Sequence, residues 1–135
     1  MTDLELVAKK LARIETCVQE LRTLGHPADL RGNVRDERFA EYTLQIAIQA
    51  ALDVASHVVS DKRMGEPATY RELFDLLERY EWLPPTLAAN LRNMVGFRNV
   101  LVHGYETVDL RVVEDVLQNR LDDLLEFVRR IRGRL

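Results

Sequence analysis

Residues that commonly signal a special architecture are scarce in this chain. One cysteine, Cys17, in 135 residues leaves no internal disulfide framework and suits a reducing compartment. Its helical spacing points to a core or boundary thiol rather than a nucleophile. Four prolines and six glycines are too few for a fibrous or low-complexity chain. No uncharged apolar run approaches the roughly 20 residues of a membrane span. Asp3, Glu5, Lys9, Lys10, Arg13 and Glu15 leave no apolar core for a secretory signal, so a cytoplasmic protein without membrane attachment is expected. Basic charge is not in excess either. A net charge of −3 argues against a nonspecific nucleic-acid coat, although a locally basic groove on an acidic body remains compatible with RNA processing. No set of His, Cys and carboxylates has metal-ligand spacing, and no glycine-rich phosphate loop or Ser-His-Asp pattern stands out. Neither a metal nor a cofactor is expected.

What remains is apolar residues at helical spacing. Leu4, Val7, Leu11, Ile14, Val18 and Leu21 form one stripe, predicting an amphipathic helix over 3–24. Gly25, Pro27, Gly32 and Asn33 mark a loop. A longer helix over 35–60 has one apolar side through Leu44, Ile48, Ala51, Ala55 and Val58 and a second, mostly apolar side through Phe39, Thr43, Ala47, Ala50 and Val54. That makes it central, in its own bundle or in a dimer. Its third face (Gln45, Gln49, Asp53, Ser56 or His57, Ser60) is polar but almost uncharged. Gln49 and Asp53 are candidates to line a groove, and the plainer reading is an exposed strip.

Thr69-Tyr70-Arg71-Glu72 matches a capping box for a third helix, whose apolar side is Leu73, Leu76, Leu77 and Tyr80. Pro85 suits the first turn of a fourth, carrying Leu87, Leu91, Met94 and Val95. Asp109 is an N-cap candidate for a fifth, with Val113, Leu117, Leu121, Leu124, Val128 and Ile131. The expected fold is all-α, an antiparallel four- to five-helix bundle in a single domain over 1–135. The terminal Arg129, Arg130, Arg132 and Arg134 read first as cations complementing a helix C-terminus, and less readily as RNA contacts.

The chemistry concentrates in Arg98-Asn99-Val100-Leu101-Val102-His103-Gly104-Tyr105. A cation, an amide, an imidazole and a phenol are the groups needed to hold a phosphate and move protons around it. Arg98 falls on the apolar side of its helix, where a charge is costly unless paired; a helix carboxylate would be the structural reason for it. His103 is five residues on, a rotation of about 140° and a rise of about 7.5 Å. One straight helix therefore does not put both on one face. The motif forms one site only if the helix ends near His103, with Gly104 making the turn, or if a symmetric dimer completes it. Each residue also has a structural reading: His103 as a dipole partner, Asn99 as a cap, Tyr105 as boundary packing. Of the other histidines, His26 reads as loop and His57 as boundary.

The spacing of Arg98, Asn99, His103 and Tyr105 resembles the signature of the HEPN superfamily. The stretch from Phe39 to His57, Gly65-Glu66-Pro67-Ala68-Thr69-Tyr70 with Phe74 and Leu77, and the run from Met94 to Tyr105 are similar to HepT-like toxins, across essentially the whole chain. The resemblance implies a HEPN-like symmetric dimer with both motifs facing a shared cleft, and metal-independent endoribonuclease activity through 2′-OH attack. Arg98 and His103 would be catalytic and Asn99 supporting. It also implies a partner, an MntA-like nucleotidyltransferase antitoxin that adds AMP to Tyr105 and so switches the toxin off. Two alternatives stay open: a non-catalytic nucleotide- or substrate-binding subunit of a nucleotidyltransferase complex, and a helical interaction module with a structural motif.

Overall fold

The structure is a computed structural model and describes residues 3–24, 30–103 and 108–135. His26, Gly104 and Tyr105 lie outside the described residues, as do the sequence readings that fall on them. The described residues form helices α1 (Leu4–Leu24), α2 (Val34–Asp61), α3 (Tyr70–Arg79), α4 (Pro85–His103), α5 (Leu110–Asp115) and α6 (Leu121–Arg132), with a π-helical turn at Val116–Arg120 and no strand.

The long α2 is the centre of the bundle, packed on α1, α3, α4 and α6. Its two apolar sides are the reason. Ala40, Ala47, Ala50, Ala51 and Ala55 are buried along it, and their small side chains let neighbouring helices come close. Asn33 caps α2 by accepting the Asp36 N–H at 3.2 Å. At α3, the Thr69 hydroxyl accepts the Glu72 N–H at 3.3 Å, while the Glu72 carboxylate reaches one residue before the cap and accepts the Ala68 N–H at 2.5 Å. The capping box therefore forms with a shifted return bond. Burial along α3 stops at Leu77; Tyr80, expected on its apolar side, is the C-cap residue and is exposed.

The fifth expected helix starts where Asp109 places it, with that carboxylate accepting the Arg111 N–H at 2.9 Å. It is not one regular helix. Val113, Leu117 and Leu121 are spaced by four residues twice over, which in an α-helix carries the stripe about 80° off its face. The wider turn at Val116–Arg120 absorbs that drift, and Val113, Leu117, Leu121, Leu124, Val128 and Ile131 are all buried. Between α3 and α6, Phe74 and Phe127 meet edge to face with ring centroids 6.1 Å apart.

The C-terminal arginines serve the fold. Arg129 and Arg130 pair with Glu126, Arg132 makes a two-pronged contact with Glu15, and Arg134 lies over the Trp82 ring. The Arg132 guanidinium holds the Glu15 carboxyl below the usual carboxylate range. His57, half-buried, accepts the Asp3 N–H at 3.0 Å through Nε2 and ties the start of α1 to α2. Cys17 is buried, which pushes its thiol pKa up and leaves it a packing residue.

Candidate active site at the end of α4

Arg98 turns inward from the last turns of α4, between α2 and α3. Its Nη2 donates to Gln49 Oε1 at 2.7 Å and its Nη1 to Asn99 Oδ1 at 3.1 Å. Its guanidinium carbon sits 5.5 Å from the centre of the Tyr70 ring. The carboxylate expected to pair with Arg98 is absent from this set. Asp53, one turn beyond Gln49 on α2, is taken by Lys10 of α1 at 3.0 Å. Among the described residues, the half-buried Arg98 is therefore held by two amides and a ring, with no carboxylate. Its Nε is buried and has no hydrogen-bond partner among the described residues. A half-buried guanidinium with no counter-ion among the described residues can take an anion on its remaining Nη hydrogens.

The polar face of α2 explains how Arg98 is held. Gln49 Nε2 donates to Asp53 Oδ1 at 2.9 Å, which fixes the amide so that its oxygen, not its nitrogen, faces Arg98. Lys10, Asp53, Gln49, Arg98 and Asn99 thus form one hydrogen-bonded chain running from α1 across α2 to α4. Gln49 and Asp53 are half-buried and joined to each other rather than a freely exposed strip. They orient the cation from behind.

His103 is the last described residue of α4 and is exposed. Among the described residues it makes no hydrogen bond with Arg98, which faces the other way into the bundle. The buried Leu101 between them anchors the last turn to the core. Arg98, Asn99 and Gln49 are thus brought together, while His103 stands apart at the helix tip.

Two neighbours of the motif escaped the sequence reading, Tyr70 and Arg71, because the capping box accounted for their stretch. Gly96 was the available signal. A glycine inside a helix costs about 1 kcal/mol relative to alanine and commonly marks a close approach. A Cβ there would lie 2.7 Å from Arg71 Nη2. Beside the motif, Ser56, Pro67, Thr69, Tyr70, Arg71 and Asn99 line a cavity of about 560 Å³.

Bundle and site together define a small helical domain that presents a guanidinium without a counter-ion among the described residues and an imidazole at one helix end, the equipment of a phosphodiester-handling protein. The chain belongs to the ribonuclease HepT-like family, whose model matches residues 10–131. It is 28% identical over 125 residues to the mRNA nuclease HepT of Shewanella oneidensis, covering 92% of this chain and 94% of that protein. With the tRNA nuclease HepT of Aphanizomenon flos-aquae it shares 32% identity over 107 residues, 79% of this chain and 73% of that one. The solved structure of the tri-AMPylated Shewanella oneidensis HEPN toxin in complex with the MNT antitoxin superposes with a TM-score of 0.88 at 28% identity, covering 98% of this chain and 99% of that one.

Proposed function

We propose that this chain is the endoribonuclease toxin of a toxin–antitoxin pair and cuts RNA without a metal, through Arg98 and His103. The carrying observation is the Arg98 guanidinium, half-buried beside Gln49, Asn99 and Tyr70 with no counter-ion among the described residues. The phosphate to be cleaved supplies the missing anion. Arg98 binds its oxygens and offsets the charge that grows on them in the transition state. The ribose 2′-oxygen attacks phosphorus and the bond to the 5′-oxygen breaks. The 2′-OH proton passes to a base, and a proton reaches the leaving 5′-oxygen; imidazole is suited to either transfer, and His103 is the imidazole at the site. Asn99 holds one edge of Arg98. The products are a 2′,3′-cyclic phosphate and a 5′-hydroxyl. A substrate with a single 2′-deoxy sugar at the cut site should survive intact while the all-ribose strand is cleaved; cleavage of both sinks the mechanism.

Because Arg98 faces into the bundle and His103 outward, a homodimer that apposes two α4 ends is the simplest way to complete the cleft. The exposed Val100 and Val112 beside the motif give that face apolar surface to bury. The partner is a nucleotidyltransferase antitoxin, as the complex of the Shewanella toxin supports. It transfers AMP from ATP to the Tyr105 hydroxyl with release of pyrophosphate, and the added nucleotide fills the site and lowers its positive field. Incubation with the partner, ATP and Mg²⁺ should add adenylyl mass to a peptide containing Tyr105, and none to Tyr105→Phe. Modification mapped to another residue rules out this switch and leaves the nuclease reading standing.

A further inference from the structure

We infer that the cavity between α3 and α4 is a nucleotide subsite for the RNA strand, in which Tyr70 stacks a base next to the cleaved phosphate and Arg71 binds a flanking phosphate. The inference rests on the RNA-cleavage reading and assigns the residues that would place the strand. Asn99 joins the two sites: its Oδ1 accepts from Arg98, and the same side chain is a wall of the cavity. A strand whose phosphate sits on Arg98 therefore has this cavity beside it, across Asn99.

Cavity shape and chemistry suit a nucleoside. Its volume of about 560 Å³ falls within the range of small-ligand pockets, roughly 300–1,000 Å³. Pro67, Leu73 and Val95 are apolar walls, while Ser56, Thr69 and Asn99 bring polar groups, which matches a base with apolar faces and hydrogen-bonding edges. Tyr70 is 43% exposed and lines the same space. An aromatic ring next to a cationic groove is how single strands are commonly held without strict sequence reading.

Arg71 adds the second charge. It is exposed, and no hydrogen bond or ion pair engages it among the described residues, in contrast to Arg92, which is paired with Asp75 and Glu78. Its guanidinium lies beside the backbone of Gly96, where a Cβ would come 2.7 Å from Nη2, so the glycine leaves room for it at the cavity edge. Two cations without counter-ions among the described residues, Arg98 and Arg71, therefore neighbour Asn99 and Tyr70, and in this proposal each takes a phosphate of the strand.

Binding, rather than cleavage, isolates this role. The full-length His103→Ala protein serves as parent, and fluorescence anisotropy with a labelled ten-nucleotide single-stranded RNA is the readout across a salt series. Arg71→Ala should weaken binding about tenfold and lower the salt slope by roughly 0.7, the contribution of one phosphate contact on a single strand. Tyr70→Leu should weaken it similarly at unchanged slope, and Tyr70→Phe, which keeps the ring, should restore it. Circular dichroism on each variant confirms the fold. If Arg71→Ala and Tyr70→Leu both match the parent in affinity and slope while the wild-type protein still cuts RNA, the subsite is overturned and the cleavage reading stands. If the wild type does not cut and the parent does not bind, the cleavage reading fails and the subsite with it.

Discussion

His103→Ala is expected to slow RNA cleavage by about 10²- to 10⁴-fold, the contribution of one positioned acid–base group, with thermal unfolding unchanged. The second half follows from place. His103 is exposed at the tip of α4, and its ring makes no hydrogen bond among the described residues, so its removal leaves no buried group unpaired. A loss of activity accompanied by intact stability is therefore a statement about chemistry alone. Arg98→Ala is the less clean experiment. It removes the phosphate-binding cation, but it also strips Gln49 Oε1 of its donor in a half-buried position, at a cost of about 1–3 kcal/mol. Arg98→Lys is no milder: a single ammonium does not span Gln49, Asn99 and a phosphate as a planar guanidinium does. Measurement of initial cleavage rates alongside thermal melts separates these cases. A His103→Ala protein that cuts RNA at the wild-type rate would remove the imidazole from the mechanism.

The largest effect on stability is expected at Phe127. Phe127→Ala should lower the free energy of unfolding by about 3–5 kcal/mol, a large share of the roughly 5–15 kcal/mol typical of a small domain. Phe127 is fully buried in α6, its ring set edge-on against Phe74 of α3. Truncation removes that contact and opens a cavity at the point where α3 and α6 meet, in a close-packed interior that relaxes only in part. Urea titration followed by circular dichroism should show the midpoint fall at nearly constant slope. A shift of less than about 1 kcal/mol would mean that the bundle repacks around the gap. Catalysis should follow stability here, since α3 also carries Tyr70 and the wall of the cavity beside the motif.

Much of the bundle was legible because helix formation and burial are periodic. The stripe from Leu4 to Leu21 and the double-sided segment expected over 35–60 each correspond to a helix, with Val7 to Leu21 inside the first and only Leu4 of its stripe exposed. Caps at Thr69 and Asp109 were readable as local hydrogen-bond chemistry between residues two to four apart. The π-helical turn was not foreseen, although the repeated four-residue spacing from Val113 to Leu121 carried its trace. Around the motif, spacing asked for a helix end near His103 or a dimer that completes the site, and Gly104 and Tyr105, on which that choice turns, lie outside the described residues. Why Arg98 tolerates burial was not legible. Its partners lie 49 residues away at Gln49 and on the first turn of α3 at Tyr70, and the carboxylate one turn along α2, Asp53, is paired with Lys10 of α1.

The sequence by itself determined the helices, the polar eight-residue stretch and the family, because these depend on residue order over a few turns. Only the tertiary structure decided which charges are cancelled. An ion pair depends on which helices lie side by side, and α1 lies on α2 so that Lys10 pairs with Asp53 and, among the described residues, Arg98 has only neutral partners. The same packing of α3 on α4 seats Arg71 on Gly96 and opens the cavity at Asn99. Charge balance at a site is set by distance in space, and distance in space is what a linear order of residues leaves undetermined.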